Sequence, residues 1–156
     1  MERARGIGIL AQGWEVSLSE GGTRETVRAL YDTYVERNFE RFAGLLHIDI
    51  DWVIHGPMAV FPFAGLRRGR PAVLQALAGM ALSYSLDSYV PDFILIDGDR
   101  VAIMADVALT QHATGRILRF RVANFLRIQD GLVIEFREFA DSFDQVEQAL
   151  GRVVDL

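Results

Sequence analysis

Four polar side chains stand in apolar company, and their types suit acid/base chemistry. Asp106 is the one acid in the run Val101-Ala102-Ile103-Met104-Ala105-Asp106-Val107-Ala108-Leu109. If that segment is a strand covered on both sides, Asp106 is buried whichever face it takes, and its pKa rises. Such a carboxyl is either a neutral donor to a developing oxyanion or an ionised group paired with an Arg or His. Glu138 shares an alternating face with Leu132, Ile134, Phe136 and Ala140. It is the lone acid there, unless the face is inverted and it pairs with Arg119 or Arg121. Asn124 lies among Leu118, Phe120, Val122, Leu126 and Ile128. The opposite face carries Arg119, Arg121 and Arg127, and burying three unpaired guanidinium groups would cost more than the apolar gain. Asn124 is therefore an amide on an inner face. It holds either a substrate oxygen or a neighbouring side chain. His55 ends a strand just before Gly56-Pro57, with Val53 and Asp51 on its face. Imidazole titrates near working pH, so His55 is either a proton carrier at a pocket mouth or a structural His at a turn. His47 and His112 read as solvated.

The elements that must position these groups follow from periodicity. Thr23 can cap a helix in which Val27, Leu30, Tyr31, Tyr34 and Val35 form one stripe. A short helix fits Phe39 to Leu46, and Ile48 to His55 reads as a strand. Phe61-Pro62-Phe63-Ala64-Gly65 reads as a loop, and Pro71 opens a helix to about Ala81. Asp87 to Asp97, Arg100 to Ala113, Arg116 to Ile128 and Leu132 to Ala140 read as strands joined by Gly-containing hairpin signals. Ser142-Phe143-Asp144-Gln145 matches a capping box for a last helix through about Leu150. Helices early and long antiparallel strands late give an α+β class, in which one curved sheet wrapped over helices encloses an apolar pocket.

Composition narrows the chemistry. The chain has 156 residues, the size of one domain. Residues 1–22 are poorly patterned and read as a mobile arm; 23–156 read as a single domain. Cysteine is absent, which removes thiol nucleophiles and Cys-based metal sites. All sixteen basic residues are Arg, so no Lys Schiff base can form. No paired-His spacing suggests a metal, and no phosphate-cradling motif is present. A net charge of −5 disfavours nonspecific nucleic-acid binding. No apolar run reaches the ~18 residues of a membrane span. The N-terminal apolar stretch is short for a signal peptide, so a cytoplasmic protein is expected.

Residues 23–150 resemble the nuclear-transport-factor-2-like superfamily, and more narrowly its SnoaL-like polyketide cyclase and ketosteroid-isomerase-like group. The Val27–Val35 helix, the segment Asp51-Trp52-Val53-Ile54-His55-Gly56-Pro57, Pro62 to Gly69 and Phe136-Arg137-Glu138-Phe139-Ala140-Asp141 carry the likeness. It implies a cone-shaped barrel around an apolar cavity, often in a homodimer packed through the open sheet face. His55 matches the strand-end position of the isomerases' catalytic Asp, and Tyr31 or Tyr34 matches their oxyanion-hole Tyr. Asp106 and Glu138 match two acids that act on water in limonene-type epoxide hydrolases. Those enzymes carry an Arg two residues before the middle-strand acid, where this chain has Met104, and a Tyr and Asn where it has Val53 and His55.

The expectation is a cofactor-independent acid/base enzyme of isomerase or cyclase type, acting on a small apolar or cyclic organic molecule. His55, Asp106 and Glu138 would be catalytic. Asn124, Tyr31, Trp52, Phe63, Phe120 and Phe136 would hold the substrate. The rivals are an epoxide hydrolase or dehydratase of the same fold, and a noncatalytic ligand-binding or dimerisation module. Convergence of His55, Asp106 and Glu138 on one enclosed space favours catalysis; divergence favours the binder.

Overall fold

The computed structural model describes residues 18–155. The elements in order are α1 (Leu18–Val35), α2 (Phe39–Gly44), β1 (Leu46–Ile54), β2 (Gly65–Arg68), α3 (Arg70–Ser83), β3 (Tyr84–Asp97), β4 (Arg100–Gln111), β5 (Ile117–Gln129), β6 (Leu132–Ala140) and α4 (Ser142–Leu150). The strands form one unclosed sheet in the order β2-β1-β6-β5-β4-β3. Every pairing is antiparallel except β1 with β6. That parallel pairing sets the first long strand beside the last, so residues about eighty positions apart share one cavity wall. Four helices and this sheet realise the α+β class expected. No helix among the described residues is long and apolar enough to cross a membrane.

Alternation decides which side of each strand is buried. On β5, Leu118, Val122, Asn124, Leu126 and Ile128 are buried, whereas Arg119, Arg121 and Phe125 are exposed. The arginines force this choice, because a guanidinium is far cheaper to leave in water than to bury unpaired. On β4, Val101, Ile103, Ala105, Val107 and Leu109 are buried on the same inner side. The α1 stripe of Val27, Leu30 and Tyr31 packs into this core.

Several boundaries differ from the sequence reading. Leu18 to Gly22, expected as the end of an arm, are helical; the rest of that arm lies outside the described residues. Thr23 does not open the helix, and its hydroxyl donates to Gly98 O at 2.9 Å. Residues 65–68, expected as loop and turn, form the short strand β2 on β1. Gly69 follows at φ 82, a conformation a side chain would strain, and its N–H reaches Ile50 O at 2.8 Å. The β5–β6 hairpin turns on Asp130 and Gly131, both at positive φ, as a two-residue type I′ turn requires. Asp141 caps α4 one residue earlier than expected, accepting from Asp144 N.

Candidate functional site

The inner sheet face, α1, α3 and the 57–64 segment enclose a cavity of about 90 Å³. Its wall is apolar and rich in aromatic rings: Tyr31 and Tyr34 from α1, Trp52 from β1, Phe61 and Phe63 from the loop, Tyr84 and Tyr89 from β3, Phe120 from β5 and Phe136 from β6. Trp52 and Phe136 are paired in register and stack with centroids 3.7 Å apart. Tyr31 and Tyr89 stack at 4.6 Å. The substrate-binding residues expected from the sequence, Asn124, Tyr31, Trp52, Phe63, Phe120 and Phe136, all line this space.

One polar chain crosses the cavity wall. Tyr31 and Tyr89 each donate a hydroxyl hydrogen to Asn124 Oδ1, at 3.0 and 2.8 Å. Asn124 Nδ2 then donates to Glu138 Oε2 at 2.9 Å. Two phenol donors on Oδ1 fix which way the amide points, so its N–H must face the carboxylate. Asn124 is 1% exposed, so each of these bonds replaces water that cannot reach it. Sheet register builds the contact, since Asn124 and Glu138 are direct cross-strand partners.

Burial pushes the Glu138 carboxyl above the ordinary carboxylate range, and the Asn124 hydrogen bond offsets part of that shift. Burial also raises Tyr31, Tyr34 and Tyr89, with the Glu138 charge adding to each. All three phenols therefore stay protonated at working pH. Among the described residues the Tyr34 hydroxyl donates only to the Met80 thioether, 4.0 Å away. A thioether is a weak acceptor, so a substrate oxygen can take its place.

Asp106 is a correction to the sequence reading. It sits on the outer sheet face with its side chain 65% exposed. Arg121 Nε holds it at 3.0 Å, and the same guanidinium reaches Asp92 at 2.7 Å. Asp106 points outward with the even-numbered β4 residues, on a face that none of the described helices covers, so the assumption of two covered faces fails. The alternative of an Arg pair is what forms. Asp106→Asn is expected to leave ligand binding unchanged and the chemical-denaturation midpoint close to that of the wild type, as exposed ion pairs do.

His55 is also displaced from its expected place. It borders the cavity rim, but its ring lies flat on Phe139 with centroids 4.2 Å apart. Alternation turns Phe139 away from the Glu138 side, and Phe139 is itself exposed. Asp51, Val53 and His55 share a face as read, but Trp52 and Ile54 are the β1 residues on the cavity wall. The His55 main-chain N–H still donates to Glu138 O at 2.9 Å, which ties the strand end to β6.

Tyr89 was missed as a site residue. Register shifts between Leu86 and Ser88 and between Pro91 and Phe93 each invert the alternation of β3. A strict period of two therefore assigns no consistent inner face to that strand. Among the described residues, no group of three or more His, Asp or Glu is placed to hold a metal.

Known proteins bear on this geometry at two levels. The SnoaL-like domain model matches residues 27–136. The chain belongs to the SnoaL-like family. A provisionally assigned isomerase from Rhodopseudomonas palustris is 36% identical, with 86% of this chain and 100% of that one covered and a TM-score of 0.77. A provisionally assigned polyketide cyclase from Pseudomonas putida is 20% identical over 81% of this chain and 96% of that one, at TM-score 0.68. An LEH-like epoxide hydrolase of M. tuberculosis is 18% identical over 83% and 90%, at TM-score 0.69. These last two show the shared cone of NTF2-like proteins and nothing finer about a SnoaL-like chain. No curated protein matches the chain.

Proposed function

We propose that this SnoaL-like protein is a cofactor-independent acid/base enzyme of isomerase or cyclase type, acting on a compact apolar or cyclic organic molecule. The carrying observation is Glu138: one carboxylate on an aromatic cavity wall, oriented through Oε2 by Asn124, with no hydrogen-bond partner on Oε1 among the described residues. Oε1 removes a proton from a substrate carbon and returns it elsewhere on the same molecule. Tyr34 donates to the substrate oxygen that gains charge. Asn124 positions the base, and Tyr31 and Tyr89 position Asn124. The cavity of about 90 Å³ suits a single ring or a branched chain. The R. palustris relative's isomerase label agrees with this chemistry.

Two observations favour the rival reading of a ligand-binding module. Asp106 has left the site, and the His55 ring packs outside it. The epoxide-hydrolase reading weakens for the same reason, because Asp106 and Glu138 stand on opposite sheet faces and cannot share a water. The decisive experiment is proton NMR in D2O with a panel of small cyclic ketones and enones. Catalysis predicts deuterium entering the position next to the carbonyl only when the protein is present. A binder broadens ligand signals and leaves the isotope pattern unchanged.

The outer sheet face supports a homodimer. Phe93, Met104, Ala123 and Phe139 lie in register across β3, β4, β5 and β6. Leu95, Ala102 and Phe125 form the next row. Phe93, Leu95, Phe125 and Phe139 are 42–55% exposed, an apolar patch flanked by the Arg121 and Arg127 ion pairs. Phe125→Glu is expected to shift the sedimentation coefficient from dimer to monomer, while the wild type stays dimeric at micromolar concentration.

A further inference from the structure

We propose that the cavity's preferred ligand carries a positive charge, as a small protonated or quaternary amine seated on the aromatic wall beside Glu138. This rests on the reading of Glu138 as the functional group of the cavity. Among the described residues the Glu138 carboxylate enters no ion pair, and the one side chain bonded to it is a neutral amide. Among the described residues no arginine lines the cavity. The groups facing Glu138 are Tyr31 and Tyr34 from α1, Tyr89 from β3 and Asn124 from β5, and all are uncharged at working pH. Ile54 of β1 is its apolar register partner, Gln145 of α4 reaches the same cavity as a neutral amide, and His55, the titratable group at the rim, lays its ring on Phe139 rather than on the carboxylate. Among the described residues the carboxylate is therefore paired with no counter-charge.

The wall explains what would supply one. Trp52, Tyr34, Phe61, Phe63, Phe120 and Phe136 line the cavity, and aromatic rings attract an enclosed cation through the negative side of their quadrupoles. A cation gains from those faces and from Glu138 together. A neutral molecule of the same shape gains only its apolar burial. An anion meets a carboxylate and π-faces, with the Tyr31 and Tyr89 hydrogens already held by Asn124. A molecule that already bears positive charge also yields a proton more readily, so the preference serves the proposed chemistry.

Binding and protonation must then be linked. Glu138 has to ionise to pair with the cation, and burial alone opposes that ionisation. Cation binding therefore releases protons at pH values below the raised Glu138 titration, and affinity climbs as pH rises through it.

The test is calorimetry on the full chain with three probes of similar shape: tetramethylammonium, tert-butanol and pivalate. Tetramethylammonium is expected to bind about tenfold or more tightly than tert-butanol, with pivalate showing no heat. Glu138→Gln should bring the two binders within about twofold of each other. Trp52→Leu should weaken tetramethylammonium more than tert-butanol, which covers the case of a poorly folding Gln variant. Repeating the titration in buffers of different ionisation enthalpy should show proton release. Equal binding of cation and alcohol, no binding of any probe, or a preference that survives Glu138→Gln overturns the inference. A lost preference with deuterium exchange intact rejects this inference alone. A preserved preference with no exchange rejects the enzyme and leaves the cation site.

Discussion

Glu138→Gln is expected to lower turnover by about 10²–10⁴-fold while raising thermal stability, a combination a merely structural residue does not give. The loss follows from role. Gln keeps the shape and still accepts from Asn124, but it cannot take a proton, and positioned acid/base groups are worth about that factor. The stability gain follows from linkage. The folded-state pKa of Glu138 lies above its unfolded value, so the folded protein holds the extra proton. Stability contributed by that proton is complete below the unfolded pKa and is lost as pH rises through the folded one. Above that window the wild type keeps a costly buried charge, and Gln removes it. The variant should therefore melt a few degrees higher at alkaline pH and match the wild type at acid pH. The pH profile carries the same signature, because the base must be ionised. Wild-type kcat/KM should rise with pH through a midpoint above the ordinary carboxylate range.

Asn124→Leu is expected to cost about 2–4 kcal/mol in denaturant unfolding. It removes the acceptor of two buried tyrosine hydroxyls and the donor to Glu138, leaving polar groups unpaired in an apolar wall. Turnover should fall with it, since the carboxylate loses its fixed orientation. Asn124→Asp separates the two effects. It still accepts from Tyr31 and Tyr89, so most of the stability is retained. It also places two carboxyl groups within about 3 Å in the geometry that Asn124 and Glu138 now share. One of them must hold a proton, so the pH–activity midpoint should move further upward. An unshifted midpoint would detach Asn124 from Glu138.

Glu138 and Asn124 were readable from sequence for a definite physical reason. Three arginines on β5 leave only one face that can be buried, and the antiparallel hairpin carries that assignment across to β6. Asp106 was misread because Ala102 and Met104 are apolar yet outward, so β4 looks buried on both sides although only one is covered. For His55 the grouping with Asp51 and Val53 was right, but nothing in a strand of mixed character says which face turns inward. The Asp51–Arg137 pair on the outer side settles it. β2 escaped notice because four residues rich in Arg carry no strand pattern of their own; it exists through pairing with β1. Tyr89 was hidden by two irregularities in β3 that no local sequence signal marks. The helical start at Leu18 runs through Gly21 and Gly22 against their propensity.

The central claim is that a single carboxylate on the aromatic wall titrates out of range because it is enclosed. Carbon-13 NMR of the glutamate side-chain carboxyls, followed over pH and assigned by loss of one signal in Glu138→Gln, tests it directly. The account predicts one resonance titrating above the ordinary carboxylate range, displaced further upward in Asn124→Asp. A Glu138 resonance titrating with the surface glutamates would contradict it, because such a group is solvated and not poised within a cavity.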